Sequence, residues 1–383
     1  MMEPKPPGLP ALIETDEGLA RLVRALRRET RIAVDTESNS LHAYRERVCL
    51  MQFSTAESDY VLDPLALDDL NPLGPIFADP EIEKIFHAAE YDILCLRRDF
   101  GYSFANIFDT MQAGRILGRK QAGLDRLLED KFAVTHNKRL QKADWGVRPL
   151  SRELLLYAAL DTHYLIPLRN LLQAELEEKD LWQLAQEDFA MACAGAAPKP
   201  RLDSTAWSRF KMRRDLTPRE LSIIKELMEW REAIASALDR PPFKVVDDDR
   251  LVEIARAKPG TLEELGEAGF GPKQVDKWGR DVLQVVAAGL RAPLVHRTKG
   301  PSPNGAYLKR LDKLKLWRKK RAAAMEVESD VVLPRTLLLA LAEAGPGEAE
   351  AVMRPSPWRW QHFGGEISEL LRAAAPQTTG APG

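Results

Sequence analysis

Residues 31–38, RIAVDTES, decide how the chain is read. The run RIAVDT is short, apolar and partly β-branched, which predicts a strand, and it ends on two acids, Asp35 and Glu37. Residues i and i+2 of a strand project from one face, so both carboxylates can point at the same spot. Working outward, VCLMQFS and DYVLD read as two more strands and KIFHAA as another buried one. Helical patterns follow at Glu90–Phe100, at Leu124–Phe132 and from about Ser151 onward. Three strands followed by strand–helix alternation predict a mixed sheet flanked by helices between about Leu19 and Glu187.

Each chemical signal in this region has an ordinary explanation when taken alone. A D-x-E at a strand end is common. Asp92, in HAAEYDILCLRRDFG, falls near a helix N-terminus, where a carboxylate simply favours the helix dipole. Tyr157 and Asp161, in LLLYAALDTHYL, share a helix face at i and i+4. An aspartate on so apolar a face is costly unless it is paired or bound to a cation, and a Tyr–Asp contact or a cation would each answer that cost. Together, however, the four acids and one tyrosine run in the order D-x-E, D, Y-x-x-x-D, on elements that a compact α/β fold can converge. Oxygen-only ligands suit Mg²⁺ or Mn²⁺ rather than zinc. Four crowded carboxylates would repel one another and raise their pKa values. Two divalent ions roughly 4 Å apart would relieve that repulsion and stabilise both the attacking and the leaving oxygen of phosphodiester cleavage.

Beyond Glu187 the character changes. Residues 1–193 form the predicted α/β domain, with 1–10 disordered, and AGAAPKPRLDS at 194–204 reads as a linker. A helical domain is expected at 205–291. Thr217-Pro-Arg-Glu220 and Thr261-Leu-Glu-Glu264 are capping boxes, and Leu216 and Leu221 are spaced for a hydrophobic staple. A second linker at 292–304 precedes a divergent second bundle at 305–372 and a disordered tail at 373–383. Both helical regions open on a helix bearing Trp-Arg, within Met228–Glu232 and Leu314–Lys319, which hints at duplication. The run YLKRLDKLKLWRKKR sets Leu308, Leu311, Leu314 and Trp317 on one stripe and its lysines and arginines elsewhere. It reads as a solvated amphipathic helix or as a phosphate-binding face.

Composition narrows the class. The net charge is −2, from 55 basic and 57 acidic residues among 383, so any surface for a polyanion must be local. Cys49, Cys95 and Cys193 show no paired spacing and read as reduced thiols. The start MMEPKPPGLP carries prolines where a signal peptide needs an apolar run. No apolar stretch approaches the roughly 20 residues of a membrane span. A cytoplasmic protein with no membrane association and no evident protein partner is expected.

The segments VDTES, FHAAEYD, FDTMQAGRILG, KADWGVRPLSRELLLYAALDTHYLIPL and LTPRELSIIKELMEWREAIASALDRPPFKVVDDDRLVEIA closely resemble the ribonuclease D family. The first part resembles the DEDD exonuclease superfamily in its tyrosine subclass. The helical part resembles the HRDC domain shared with RecQ-type helicases. The likeness covers residues 10–290 well and 305–372 more weakly. It implies an α/β ribonuclease H-like exonuclease domain followed by one or two all-α HRDC-like bundles.

By that resemblance Asp35, Glu37, Asp92 and Asp161 would hold two Mg²⁺ or Mn²⁺ ions. Asp35 falls where the family bridges both, Glu37 and Asp161 where it supports the ion that activates water, and Asp92 at the second site or a coordinated water. Tyr157 would orient the attacking water; a phenol with a pKa near 10 is no base at neutral pH. Ser38 and Leu41 fall where the terminal nucleotide is held, although Ser38 stands where a larger residue is frequent. His87 matches a histidine before the second motif and reads equally as a hydrogen-bonded residue at a strand end. Gln141, Asp144, Trp145 and Arg148 match a run beside the active site. Lys138, Arg139, Lys142 and Arg148 suit phosphates, and Trp145 either stacks a base or anchors the loop.

The expected activity is 3′→5′ exoribonucleolytic trimming of structured RNA such as tRNA precursors, releasing nucleoside 5′-monophosphates. A 3′→5′ DNA exonuclease and a nucleic-acid-binding scaffold with a dead core are the alternatives. The chain carries no phosphate-binding loop of a helicase motor, and no acid is missing. Removing residues 292–383 is expected to weaken use of structured substrates more than cleavage of a short single strand.

Overall fold

The computed structural model describes residues 6–135, 139–195, 206–296 and 304–374. The chain divides into two units, one of Met1–Glu37, Val48–Pro198 and Ser302–Gly383, the other of Ser38–Arg47 and Lys199–Pro301. The expected linkers at 194–204 and 292–304 and the tail at 373–383 lie mostly outside the described residues.

The first unit is built on the strands β1 (Ala11–Ile13), β2 (Arg31–Ser38), β3 (Val48–Ser54), β4 (Asp59–Leu62), β5 (Glu83–Phe86) and β6 (Ile107–Asp109). Their order is β1-β4-β3-β2-β5-β6. β3 and β4 pair antiparallel, whereas β1 runs parallel to β4, and β5 parallel to both β2 and β6. This is the mixed sheet that the sequence predicts. Every residue of β3 is buried, so VCLMQFS lacks a polar alternation because helices cover both faces.

Three details depart from expectation. β1 and β6 are three residues long, too short to show a period. The strand in KIFHAA stops at Phe86, because Ala88 takes a left-handed φ of 63°. The amides of Ala88 and Ala89 then donate to Asp109 instead of to a neighbouring strand. The helices Glu90–Phe100 and Leu124–Phe132 form as expected, and Ser151 caps the helix Arg152–His163 by accepting from Leu154 N.

The C-terminal helices belong to this same unit. One hydrophobic cluster joins Phe53, Phe86, Leu168 and Phe189 to Leu314, Val331, Leu341 and Ile367. On the helix Gly305–Met325 the predicted stripe buries Leu311, Leu314 and Trp317. Leu308, in the first turn, stays 43% exposed and falls out of the stripe.

The second unit packs the helices Pro218–Ala237, Asp248–Ala257, Leu262–Glu267 and Pro272–Arg291 around Ile224, Leu251, Phe270 and Val282. Both capping boxes form, and Leu216 and Leu221 are both buried. The duplication hinted by the Trp-Arg pairs is visible in hydrogen bonding. Arg231 Nη1 donates to the Val246 carbonyl at 2.8 Å, and Arg318 Nη1 to the Leu333 carbonyl at 3.0 Å, each 15 residues onward.

Candidate active site

β2 carries Asp35 and Glu37 to its end, and the helix Arg152–His163 carries Asp161. Carboxylate oxygens of these three lie within 4.8 Å of one another. The sequence spacing explains the convergence, because strand and helix each present two chemical residues on one face. The helix is held to the hairpin beside it. Ser54 and Thr162 share a hydrogen bond of 2.7 Å, Ser54 Oγ donates to Asp59 Oδ1 at 2.6 Å, and His163 Nδ1 lies 2.8 Å from Asp59 Oδ2.

Asp92 stands outside this tight group. It is the third residue of the helix Glu90–Phe100, and its Oδ1 accepts from Thr36 N at 3.1 Å and from Thr36 Oγ1 at 2.5 Å. Thr36 escaped the sequence reading. Its only signal is its place between the two acids of D-x-E.

The electrostatics are those of negative charge confined without enough countercharge. Burial, then Asp92, Asp161 and Glu37, push the Asp35 carboxyl far above the usual carboxylate range, with the Thr36 backbone opposing only in part. Burial, then Asp161 and Asp92, do the same to Glu37. Burial raises Asp92 to about 7, against the hydrogen bonds from Thr36. Hard oxygen donors that repel one another in a half-buried spot fit a divalent cation.

Tyr157 is buried, and its ring lies 6.0 Å from that of Trp145. Burial, followed by Asp161, Glu37 and Asp35, holds the phenol well above its ordinary pKa. The hydroxyl therefore keeps its proton and can orient a water but not deprotonate one. Tyr157→Phe should cut kcat about 100-fold, the cost of a misplaced reactant. The melting temperature should stay near wild type, since the ring still packs on Trp145. A kcat within a factor of three of wild type would remove the hydroxyl from the reaction.

The loop after residue 138 decides one open reading and corrects one expectation. Trp145 is 1% exposed and packs with Leu50, Val61 and Tyr157, so it anchors the loop and offers no face to a base. Arg148 is tied down rather than turned to phosphates. Its guanidinium pairs with buried Asp63, with Nη2 at 2.7 Å from Oδ1, and donates to the carbonyls of Trp145 at 2.8 Å and Cys49 at 2.8 Å. A buried carboxylate needs such a partner more than the surface needs a phosphate contact.

His87 Nδ1 lies 2.9 Å from Thr110 Oγ1, whose own proton goes to the Phe86 carbonyl at 3.1 Å. This is the hydrogen-bonded histidine at a strand end. Gln141, Arg139 and Lys142 are exposed, and Lys138 lies outside the described residues. Ser38 Oγ donates to Glu46 Oε1 at 3.3 Å, and Leu41 is 40% exposed. Cys49, Cys95 and Cys193 form no disulfide.

The sequence model of a 3′-5′ exonuclease family matches residues 10–177, and that of the HRDC domain matches twice, at 220–286 and 308–371. Ribonuclease D of Gluconacetobacter diazotrophicus is 32% identical over 312 residues, covering 78% of each chain. The chain belongs to the ribonuclease D family. Protein RRP6-like 2 of Arabidopsis thaliana is 34% identical over 266 residues, which span 66% of this chain and 30% of that protein. The chain thus spans less than half the length of the plant relatives that it matches. Among solved structures, Escherichia coli RNase D, an exoribonuclease involved in structured RNA processing, superposes with a TM-score of 0.69 at 25% identity. The superposition covers 96% of this chain and all of that one. Among the described residues no helix is long and apolar enough to cross a membrane.

Proposed function

We propose that this ribonuclease D family member is a metal-dependent 3′→5′ exoribonuclease that trims structured RNA, tRNA precursors included, in the cytoplasm. The observation that carries this reading is the meeting of Asp35, Glu37 and Asp161 within 4.8 Å, the same three acids whose charge helps hold the Tyr157 phenol protonated. Two divalent ions, Mg²⁺ or Mn²⁺, held by these acids and Asp92 would neutralise the scissile phosphate and acidify the attacking water.

The chain's own groups do the rest. The four carboxylates would hold the cations, with Asp92 fixed by Thr36. The Tyr157 hydroxyl donates to or accepts from the attacking water and lines it up with the phosphorus. Ser38 and Leu41 are the groups proposed for the terminal nucleotide, and Gln141 for the strand beside it. Exposed Lys309, Lys315, Lys319 and Lys320 on the helix Gly305–Met325 offer positive charge to the backbone of a longer RNA.

The purified chain should shorten 5′-labelled RNA one nucleotide at a time and release labelled mononucleotide at once from 3′-labelled RNA. EDTA should stop turnover, and Mg²⁺ or Mn²⁺ should restore it. Full activity without metal would reject the mechanism, and equal or faster cleavage of DNA would move the assignment to a DNA exonuclease.

A further inference from the structure

We propose that Asp109 is a positioning residue for Asp92, and through it sets the affinity of the second of the two cations. The inference rests on the reading of the acidic cluster as a metal site. It concerns a carboxylate that the catalysis itself does not use.

Asp109 closes β6 and is 8% exposed. Its side chain accepts from four backbone amides. Oδ1 takes Ala88 N at 3.0 Å, Met111 N at 2.9 Å and Gln112 N at 3.1 Å, and Oδ2 takes Ala89 N at 2.9 Å. Two of these donors open the helix Thr110–Ile116 and two form the turn before the helix Glu90–Phe100. One carboxylate therefore staples two helix starts together.

The turn needs the staple. Ala88 holds a φ of 63°, a left-handed conformation that residues with a Cβ avoid. Two amide donors to a buried carboxylate keep the chain there. Ala89 is the N-cap of the helix whose third residue is Asp92, so the turn sets where the Asp92 carboxylate stands.

Asp92 is consequently fixed from two sides. Thr36 on β2 holds its side chain, and Asp109 holds its backbone. The staple is anchored further, since Gln112 Nε2 donates to Asp188 Oδ2 at 2.8 Å, and Asp188 accepts from Arg359 Nη2 at 3.0 Å. A contiguous set of hydrogen bonds thus runs from the C-terminal bundle to the turn before Asp92. Asp35, Glu37 and Asp161 sit on other elements and do not depend on that turn.

The test uses Mn²⁺ and the full chain carrying Asp109→Asn or Asp109→Ser. Asparagine would set an NH₂ group against the Ala89 amide. Serine still caps the helix Thr110–Ile116 but is too short to reach Ala88 and Ala89, so it separates helix stability from the staple. Mn²⁺ binding is followed without substrate by calorimetry and electron paramagnetic resonance, beside circular dichroism and the melting temperature. Wild type should bind two ions. In both variants one ion should weaken by about 10- to 100-fold, the usual effect of losing a group that orients a ligand, while the other stays within about threefold.

Two wild-type affinities in either variant, with or without a lowered melting temperature, would overturn the proposal. So would an equal weakening of both ions. A wild-type chain that binds no Mn²⁺ would instead remove the metal-site reading itself.

Discussion

Asp35→Asn should abolish cleavage, by on the order of 10³-fold or more, while leaving the metal-free protein at least as stable as wild type. The substitution keeps the side chain's shape and deletes one of the charges that crowd Glu37, Asp161 and Asp92. For metal binding that charge is needed; for folding without metal it is a burden. Burial with Asp92, Asp161 and Glu37 raises the pKa of Asp35, burial with Asp161 and Asp92 that of Glu37, and burial with Asp109 that of Asp92, to about 7. The metal-free fold therefore binds protons that the unfolded chain releases. A raised folded pKa gives stability that is complete below the ordinary carboxylate value, near 4, and is lost as pH rises through the folded value. For Asp92 that window runs from about 4 to about 7. In EDTA the wild type should lose melting temperature between pH 5 and 8 relative to Asp35→Asn, and Mg²⁺ at pH 8 should restore it. A metal-free wild type that melts above Asp35→Asn at pH 8 would mean that these acids are not electrostatically frustrated.

How far the sequence reached follows from the range over which each feature is encoded. Asp35 with Glu37, and Tyr157 with Asp161, are legible because each pair lies two or four residues apart on one element, and periodicity alone puts both members on one face. The capping boxes at Thr217 and Thr261 are local in the same sense and formed as written. Arg148 misled because its environment is not local. A basic, Trp-bearing loop has the composition of a strand-tracking surface, yet Asp63, 85 residues upstream, claims the guanidinium. Trp145 stayed open between two readings for the same reason, its burial depending on β3 and β4. The Thr36–Asp92 bond spans 56 residues, and no pattern of either segment announces it. The shared core of the C-terminal bundle was not legible for another reason. A small, proline-bearing linker reads as a boundary between independent domains, but composition says nothing about whether the parts beyond it share a core.

They do share one, and Arg359→Leu should be the most destabilising single substitution tested. Arg359 is completely buried on the helix Pro357–Arg372. Its Nη2 donates to Asp188 Oδ2 at 3.0 Å and to the Val331 carbonyl at 2.8 Å, and its Nη1 lies 3.4 Å from Glu187 Oε2. Both acids sit on the helix Trp182–Cys193 beneath the sheet domain's last strand, and Glu187 also accepts from Ser356 Oγ at 2.5 Å. Leucine would leave two carboxylates buried against apolar surface without their cation. Breaking a buried ion pair in this way costs about 3–5 kcal/mol, which lowers the melting temperature of a unit this size by roughly 6–20 °C. Adding Glu187→Gln and Asp188→Asn should recover much of the loss, because an uncharged interior is cheaper than a half-neutralised one. Failure of that recovery would locate the cost in packing rather than charge. Removing residues 304–383 altogether exposes the same acids together with Phe189 and its neighbours in the shared cluster. Cleavage of a short single strand should then fall along with that of structured RNA, through loss of folded protein. That reverses the expectation stated for removal of residues 292–383. A truncated chain that melts like wild type and loses only structured substrates would restore the separable, accessory bundle.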